Sequence, residues 1–215
     1  MAGETGRSYW DEAAAASRFS HPVRLDWLAA RLKPTALVLD YGCGYGRTLA
    51  ALHREGWINT LGVDASRAMI ERGRRENPQL KLEHIGGLPL SEPDSTFDAI
   101  LVLAVLTCIP TDAEQERLVG ELTRVLRPGG LLFVSDYPLQ TDERNLARYR
   151  AGLASHGVHG VFDHPDGVVF RHHDLGRFRS LLSHLDWQEC EETETHTLSG
   201  RAATAVQILA RKREV

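Results

Sequence analysis

Apolar residues recur through the middle of the chain in short continuous runs, each followed by a segment with helical spacing. The runs Ala36–Asp40, Trp57–Asp64, Leu80–Ile85, Ala99–Ala104 and Leu131–Asp136 predict five strands. Their unbroken apolar character, best seen from Ala99 to Ala104, suits strands buried on both faces. Between the first two lies a helix ending at Glu55, with Gly56 as its C-terminal stop. Ser66 caps a second helix, which runs from Arg67 to Glu76 and is stopped by Pro78. Thr111 and Glu114 form a capping box. The helix they open carries Leu118, Val119, Leu122, Val125 and Leu126 on one face and stops at Arg127-Pro128-Gly129-Gly130. Strands alternating with helices across short loops predict right-handed parallel crossovers in an open sheet.

Both ends depart from that rhythm. Residues 8–20 read as a helix carrying Tyr9 and Trp10, then an alanine-rich stretch ending near Phe19. His21-Pro22 breaks it, and Val23–Leu32 forms a second helix before Lys33-Pro34. Residues 1–35 are therefore expected to form a helical lid, in which Tyr9 and Trp10 serve either as packing anchors or as part of a cover over a ligand. The alternation fails again from Tyr137 to Val168, where one helix, Asp142–Leu153, precedes polar stretches rich in His and Gly. Long connections of this kind are often lids or binding segments, so 137–170 is expected to be a cap inserted into a domain spanning 36–215. Val168–His173 reads as extended, and Asp174 caps a helix running through His184. Trp187–Thr195 and Thr204–Arg211 are two strands whose short polar turn requires them to be antiparallel.

The chemistry concentrates where the first strand ends. Asp40-Tyr41-Gly42-Cys43-Gly44-Tyr45-Gly46-Arg47 is a strand end, a tight glycine loop and a helix start, which brings backbone N–H groups close to a ligand. The glycines alternate at 42, 44 and 46, and Arg47 stands where the dinucleotide fingerprint would place its third glycine; no Lys-Ser/Thr follows, which excludes a P-loop. Asp40 would repel a pyrophosphate but suits a cationic ligand. Asp64, ending the next strand, can accept both hydroxyl protons of a ribose.

Composition narrows the class. The chain has 215 residues, 42% hydrophobic and 25% charged, with a formal charge of −4, which is ordinary for a soluble globular protein. No general basic field points to nucleic acid. Cys43, Cys108 and Cys190 are too few and too scattered for a disulfide framework or a zinc site, and fit a reducing cytoplasm. The first residues lack the apolar core of a signal peptide, and the longest apolar run is too short to span a bilayer.

Asp40-x-Gly42-x-Gly44-x-Gly46, Asp64, Phe97-Asp98 and Leu126-Arg-Pro-Gly-Gly130, in this order and at these spacings, resemble the class I S-adenosylmethionine (SAM)-dependent methyltransferases from about residue 36 onward. The resemblance implies an α/β fold: a Rossmann-like seven-stranded sheet, mostly parallel with a C-terminal antiparallel strand inserted beside the fifth, and helices on both faces. It implies SAM as cofactor. Asp40, Gly42, Cys43, Gly44 and Gly46 would face its methionine end, Asp64 its ribose, and Ala65 and Met69 its adenine. Leu103 and Ala104 would supply backbone near the sulfonium. Tyr9 from the lid, and Gly87 and Leu88 in place of the acid often found after the third strand, complete the expected cofactor set.

The acceptor is not written in the sequence. Methyl transfer needs orientation and water exclusion, which together supply about 7–11 kcal/mol in well-aligned systems. It needs no metal, and a base only where the acceptor holds a proton at working pH. Tyr137, His156 and His172 are the catalytic candidates, with Asp136, His159, His164 and His173 behind them. Cys108 is read as a small filler rather than a nucleophile. Two covers over one pocket favour a small-molecule acceptor on N, O, S or C, without nucleic acid or membrane. The C-terminal pair offers a surface for a homodimer, although nothing in the sequence demands one. An NAD-dependent oxidoreductase is disfavoured by the glycine spacing. A SAM-binding sensor or assembly module that no longer transfers methyl groups is the alternative.

Overall fold

A computed structural model describes residues 4–14, 19–197 and 199–214. Nine strands and seven α-helices follow one another in these residues, beginning with α1 (Glu4–Ala13) and α2 (Leu25–Ala29). The alternating part is β1 (Val38–Tyr41), α3 (Arg47–Arg54), β2 (Thr60–Asp64), α4 (Arg67–Glu76), β3 (Leu82–His84), β4 (Phe97–Leu103), α5 (Asp112–Val125) and β5 (Leu126–Asp136). After it come α6 (Glu143–His156), the short hairpin β6 (Val161–Asp163) and β7 (Val169–Arg171), α7 (Leu175–Leu181), β8 (Leu185–His196) and β9 (Ala202–Lys212).

One seven-stranded sheet has the order β3-β2-β1-β4-β5-β9-β8. The first five strands are parallel; β9 inserts beside β5 and runs antiparallel to it, with β8 at the edge. Strand order reverses between β1 and β4, where Asp40 is level with Leu101. Open α/β sheets bind ligands in the crevice at the carboxyl ends of such a switch point.

Alternate residues of each buried strand enter opposite layers. Leu39, Val63, Ile100, Val102 and Val134 pack under Leu118, Leu122 and Val125 of α5 and Phe178 of α7. Val38, Leu101 and Phe133 pack under Trp27 and Leu28 of α2, Leu49 and Leu52 of α3 and Ile70 of α4. Helices thus cover both faces, as continuous apolar strands require.

Several boundaries differ from the pattern. The helix expected over Val23–Leu32 is five residues long, Leu25–Ala29, with no side-chain cap at Arg24; Val23, Leu25 and Leu32 still pack on the core. The expected stop at Arg127–Gly130 lies inside β5. Phe97 pairs with Leu126 and Ala99 with Leu131, so the extra residues form a bulge with Gly129 at φ +72°. The hairpin partner β6 went unseen in the polar stretch after α6. α1 starts earlier than the sequence pattern indicated, and the expected alanine-rich end of that helix lies outside the described residues. Among the described residues, no helix is long and apolar enough to cross a membrane.

Candidate functional site

The glycine loop turns at the end of β1 with left-handed backbone at Gly42 (φ +74°), Gly44 (+54°) and Gly46 (+80°). Close packing adds to this requirement. A Cβ on Gly42 would meet Val105 at 2.4 Å, and one on Gly44 would meet the Phe19 ring at 2.4 Å. Gly42 and Cys43 donate to the Val63 carbonyl, which ties the loop to β2.

Asp64 is the second anchor. Its Oδ2 accepts the Gly44 amide and its Oδ1 the Ser66 amide, each at 2.8 Å. Burial raises its pKa, and those two amides oppose the rise. Each carboxylate oxygen has a further lone pair, so ribose hydroxyls have somewhere to donate.

Asp40 is different. It is 2% exposed, and its Oδ2 has no hydrogen-bond partner. Burial lifts its pKa to about 7, against the pull of Arg47 and with the push of Asp64. Arg47 is itself largely buried, and its Nε is also unpaired. A buried carboxylate with no partner is costly, and here it faces the cavity beside the loop. An orphaned acid, glycines packed too tightly to carry side chains and a ribose-competent carboxylate fit SAM, with its cationic methionine end near Asp40 and its ribose at Asp64.

These residues open into one cavity of about 840 Å³, within the roughly 300–1,000 Å³ usual for small-molecule sites. Tyr9, Asp40, Gly42, Cys43, Gly44, Asp64, Ala65, Met69, Leu103 and Ala104 all line it. Gly46 does not: it caps α3, and a Cβ there would meet Leu80 at 2.9 Å and Leu82 at 3.2 Å. Gly87 and Leu88 do not either. Leu88 packs on the core beneath α5, and Ile85 lines the cavity at the end of β3 instead.

The N-terminal segment forms one cover. Asp11 accepts from Ser66 Oγ at 2.5 Å and from the Ala68 amide at 3.1 Å, which docks α1 on the start of α4. Trp10 meets Phe19 edge to face, and Phe19 stacks on Tyr45 at 5.2 Å. Tyr9 reaches across to His164 and Phe170 of the second cover, with 6.2 Å between ring centres in each case.

The wall opposite the loop is aromatic. Tyr137 lies at 5.2 Å on His172 and 4.5 Å edge-on from His21. Its hydroxyl donates to the His196 carbonyl at 3.3 Å, and burial raises its pKa. His172 Nδ1 is 2.6 Å from the Tyr149 hydroxyl, which already accepts the Gln140 amide at 3.0 Å. The tyrosine proton therefore goes to Nδ1, leaving the proton of the neutral imidazole on Nε2. Burial, reinforced by Arg148 and Arg144, lowers the His172 pKa to about 3. His21, bonded to Ser135 Oγ at 3.1 Å, is lowered to about 4 by burial and Arg47.

The other candidates are placed elsewhere. His156 faces away from the cavity and pairs with Asp163 at 3.2 Å. His159 packs against Tyr149. His173 is buried against Gln115, 2.7 Å away, and does not line the cavity. Asp136 is fully buried, accepts the Tyr137 and Thr107 amides, and is raised to about 7 by burial. It braces the turn after β4. His164 lines the cavity, paired with Asp166. Cys108 also lines it, with Sγ on the Ala104 carbonyl and a pKa raised by burial, which gives it the inert character of a buried thiol. Trp10, weighed in the sequence as an anchor or a cover, lines the cavity; Phe19, His21, Ile85, Arg144, Arg148 and Arg201 line it without having been expected there, and among these only the pair 144 and 148, one helical turn apart, carried a readable signal.

Residues 38–130 match a family described as a methyltransferase domain. Human methyltransferase-like protein 27 is 34% identical over 123 residues, covering 55% of this chain and 46% of that protein, so the chain matches about half of that relative's length. A SAM-dependent methyltransferase from Methanosarcina mazei shares the fold with a TM-score of 0.82 at 22% identity, covering 88% of this chain and 98% of that one. The Burkholderia thailandensis 1,6-didemethyltoxoflavin-N1-methyltransferase, solved with 1,6-didemethyltoxoflavin and S-adenosylhomocysteine, gives 0.63 at 19% identity over 97% of this chain and 83% of that one.

Proposed function

We propose that the chain is a class I SAM-dependent methyltransferase with SAM as cofactor, and that it transfers the methyl group to a small-molecule acceptor. One observation carries this reading: the cavity that starts at the glycine loop continues past Ala104 and Cys108 to Tyr137 and His172, with Tyr9, Trp10 and Phe19–His21 on one side and residues from 144–170 on the other. A covered cavity of that size suits a molecule that can be enclosed better than a nucleic acid or a protein chain. Bound SAM supplies an electrophilic methyl group for in-line displacement. The protein's part is to orient the acceptor and exclude water.

The wall also indicates which acceptors are suitable. Tyr137 is a high-pKa phenol, and His21 and His172 are neutral with pKa values of about 4 and 3. None of the three is matched to remove a proton near pH 7. Such a wall favours an acceptor that arrives with its lone pair free, as an amine, a thiolate or an ionised oxygen. His172 Nε2–H then serves as a donor that positions it.

The test is incubation with SAM and a panel of small amines, thiols and phenols, following S-adenosylhomocysteine. Turnover should track the acceptor's own pKa. Tight SAM binding with no product across the panel would overturn the reading in favour of a binding module. Removing residues 1–20 should abolish turnover while SAM binding stays measurable; unchanged turnover would sink the lid.

A further inference from the structure

Charged side chains line the cavity at more than one place, with Arg47 beside the acids of the glycine-loop end. Asp40 and Asp64 lie at the cofactor end, while Arg144, Arg148 and Arg201 line the far wall. Arg144 and Arg148 are one turn apart on α6. Like charges at that spacing destabilise a helix, and a cation in the first turn opposes the helix dipole.

One carboxylate, Asp142, stands beside the cluster, 3.8 Å from Arg144. Arg148 is half-buried over the Phe162 ring at 4.4 Å, and its hydrogen bond goes to the neutral Asn145 Oδ1 at 2.9 Å. Among the described residues it forms no ion pair within 4 Å. Burial lowers its pKa, with Arg144 and Arg201 pushing the same way and Tyr149 and Asp142 opposing. The Arg201 side chain makes no hydrogen bond among the described residues. Arg144 has only Asp142 at 3.8 Å, and that carboxylate is already held by the Asn145 amide and side chain. The remaining acids of the lining, Asp163 and Asp166, face His156 and His164. His172 turns an N–H toward the same wall. Three guanidinium groups, with one carboxylate 3.8 Å from Arg144 and Arg201 exposed, therefore converge in a chain whose formal charge is −4.

We propose that the methyl acceptor carries an oxyanion, a carboxylate or a phosphate, which seats against Arg148 flanked by Arg144 and Arg201. A guanidinium fork grips either group through paired N–H donors. The proposal rests on the reading that this end of the cavity holds the acceptor.

The test uses the full chain saturated with S-adenosylhomocysteine, titrated calorimetrically with inorganic pyrophosphate and, separately, with succinate against matched chloride. At least one probe should bind. Its affinity should fall about tenfold or more in Arg148→Gln, the loss of one charged hydrogen-bonding partner. It should fall measurably in Arg201→Gln, where no internal bond is broken. Arg150→Gln is the control; that residue lies on the same helix, outside the cavity, paired with Glu143 at 2.8 Å, and should leave the affinity unchanged. S-adenosylhomocysteine affinity reports that each variant is folded. Pyrophosphate binding with this pattern identifies a phosphate site, and succinate binding a carboxylate site. No binding above chloride, or equal loss in Arg150→Gln, overturns the proposal. The readout needs no turnover, so anion binding without methyl transfer would refute the transfer reading and leave the anion site standing.

Discussion

Asp40→Asn separates what the fold needs from what the cofactor needs. The carboxylate is buried, its Oδ2 is unpaired, and its pKa stands near 7 against an ordinary 3.8. A rise of about three units, at roughly 1.36 kcal/mol each, bounds the cost of the charge at about 4 kcal/mol above pH 7. Asparagine removes the charge but brings an amide with no ready partner, which costs about 1–3 kcal/mol. The net gain at pH 8 is then about 2 kcal/mol, a rise of roughly 4–8 °C in Tm for a chain of this size. At pH 5 the native acid is protonated and the unfolded one is not. The penalty then falls to about 1.6 kcal/mol, and the gain disappears. SAM affinity should move the other way, weakening about 10-fold or more as a charged partner of the cationic methionine end is lost. Thermal melts at both pH values and SAM calorimetry check both halves. A lower Tm at pH 8, or an unchanged SAM affinity, would refute the assignment of Asp40 to the ligand.

Three further outcomes are expected. Gly44→Ala places a Cβ at φ +54° against Phe19; left-handed strain costs about 1–2 kcal/mol, so Tm and SAM affinity should both fall, and a variant unchanged in calorimetry and melts would contradict the cradle. Tyr149→Phe strips the Gln140 amide of its acceptor, costing about 1–3 kcal/mol, and frees the His172 tautomer; ¹⁵N NMR should show Nδ1 partly protonated while S-adenosylhomocysteine affinity holds, and an unchanged ring spectrum would remove Tyr149 as the orienting group. His21, His172 and His173 have pKa values lowered by burial to about 4, 3 and 3, so the unfolded state takes up their protons first below pH 6.5 and stability is lost from there downward. Asp40 and Asp136, raised to about 7, act in the opposite direction between 3.8 and 7, so Asp40→Asn should steepen the acid decline in urea midpoints; a shallower slope would show the sign to be wrong.

The core of the fold was legible because it depends on local signals. Glycines at 42, 44 and 46, the caps at Ser66 and Thr111 and the unbroken apolar β4 each state their own conformation. Asp40 and Asp64 end strands that pair in the sheet, so strand order alone brings them to one crevice. Gly87 and Leu88 were placed by distance from β3 along the chain, and they do not line the cavity. That loop turns under α5, where the Leu90 amide donates to Glu121 at 2.6 Å, and Ile85 is left facing the cavity.

The acceptor wall followed a different rule. His21, Tyr137, Arg148, His172 and Arg201 come from five separate segments, and none of their local patterns refers to another. They meet because α6 and the β6–β7 hairpin fold back across the end of β5, with Gly152 packed so tightly on Val161 that a Cβ there would lie 1.9 Å from its carbonyl oxygen. That contact seats α6 on the hairpin, aims Arg144 and Arg148 inward and brings Tyr149 within reach of His172. The proposed methyl-donor site can be read from the sequence because its glycine loop and the acids near the strand ends are local signals. The proposed acceptor site is made by tertiary packing, which gathers its charges and protons from segments far apart in the chain.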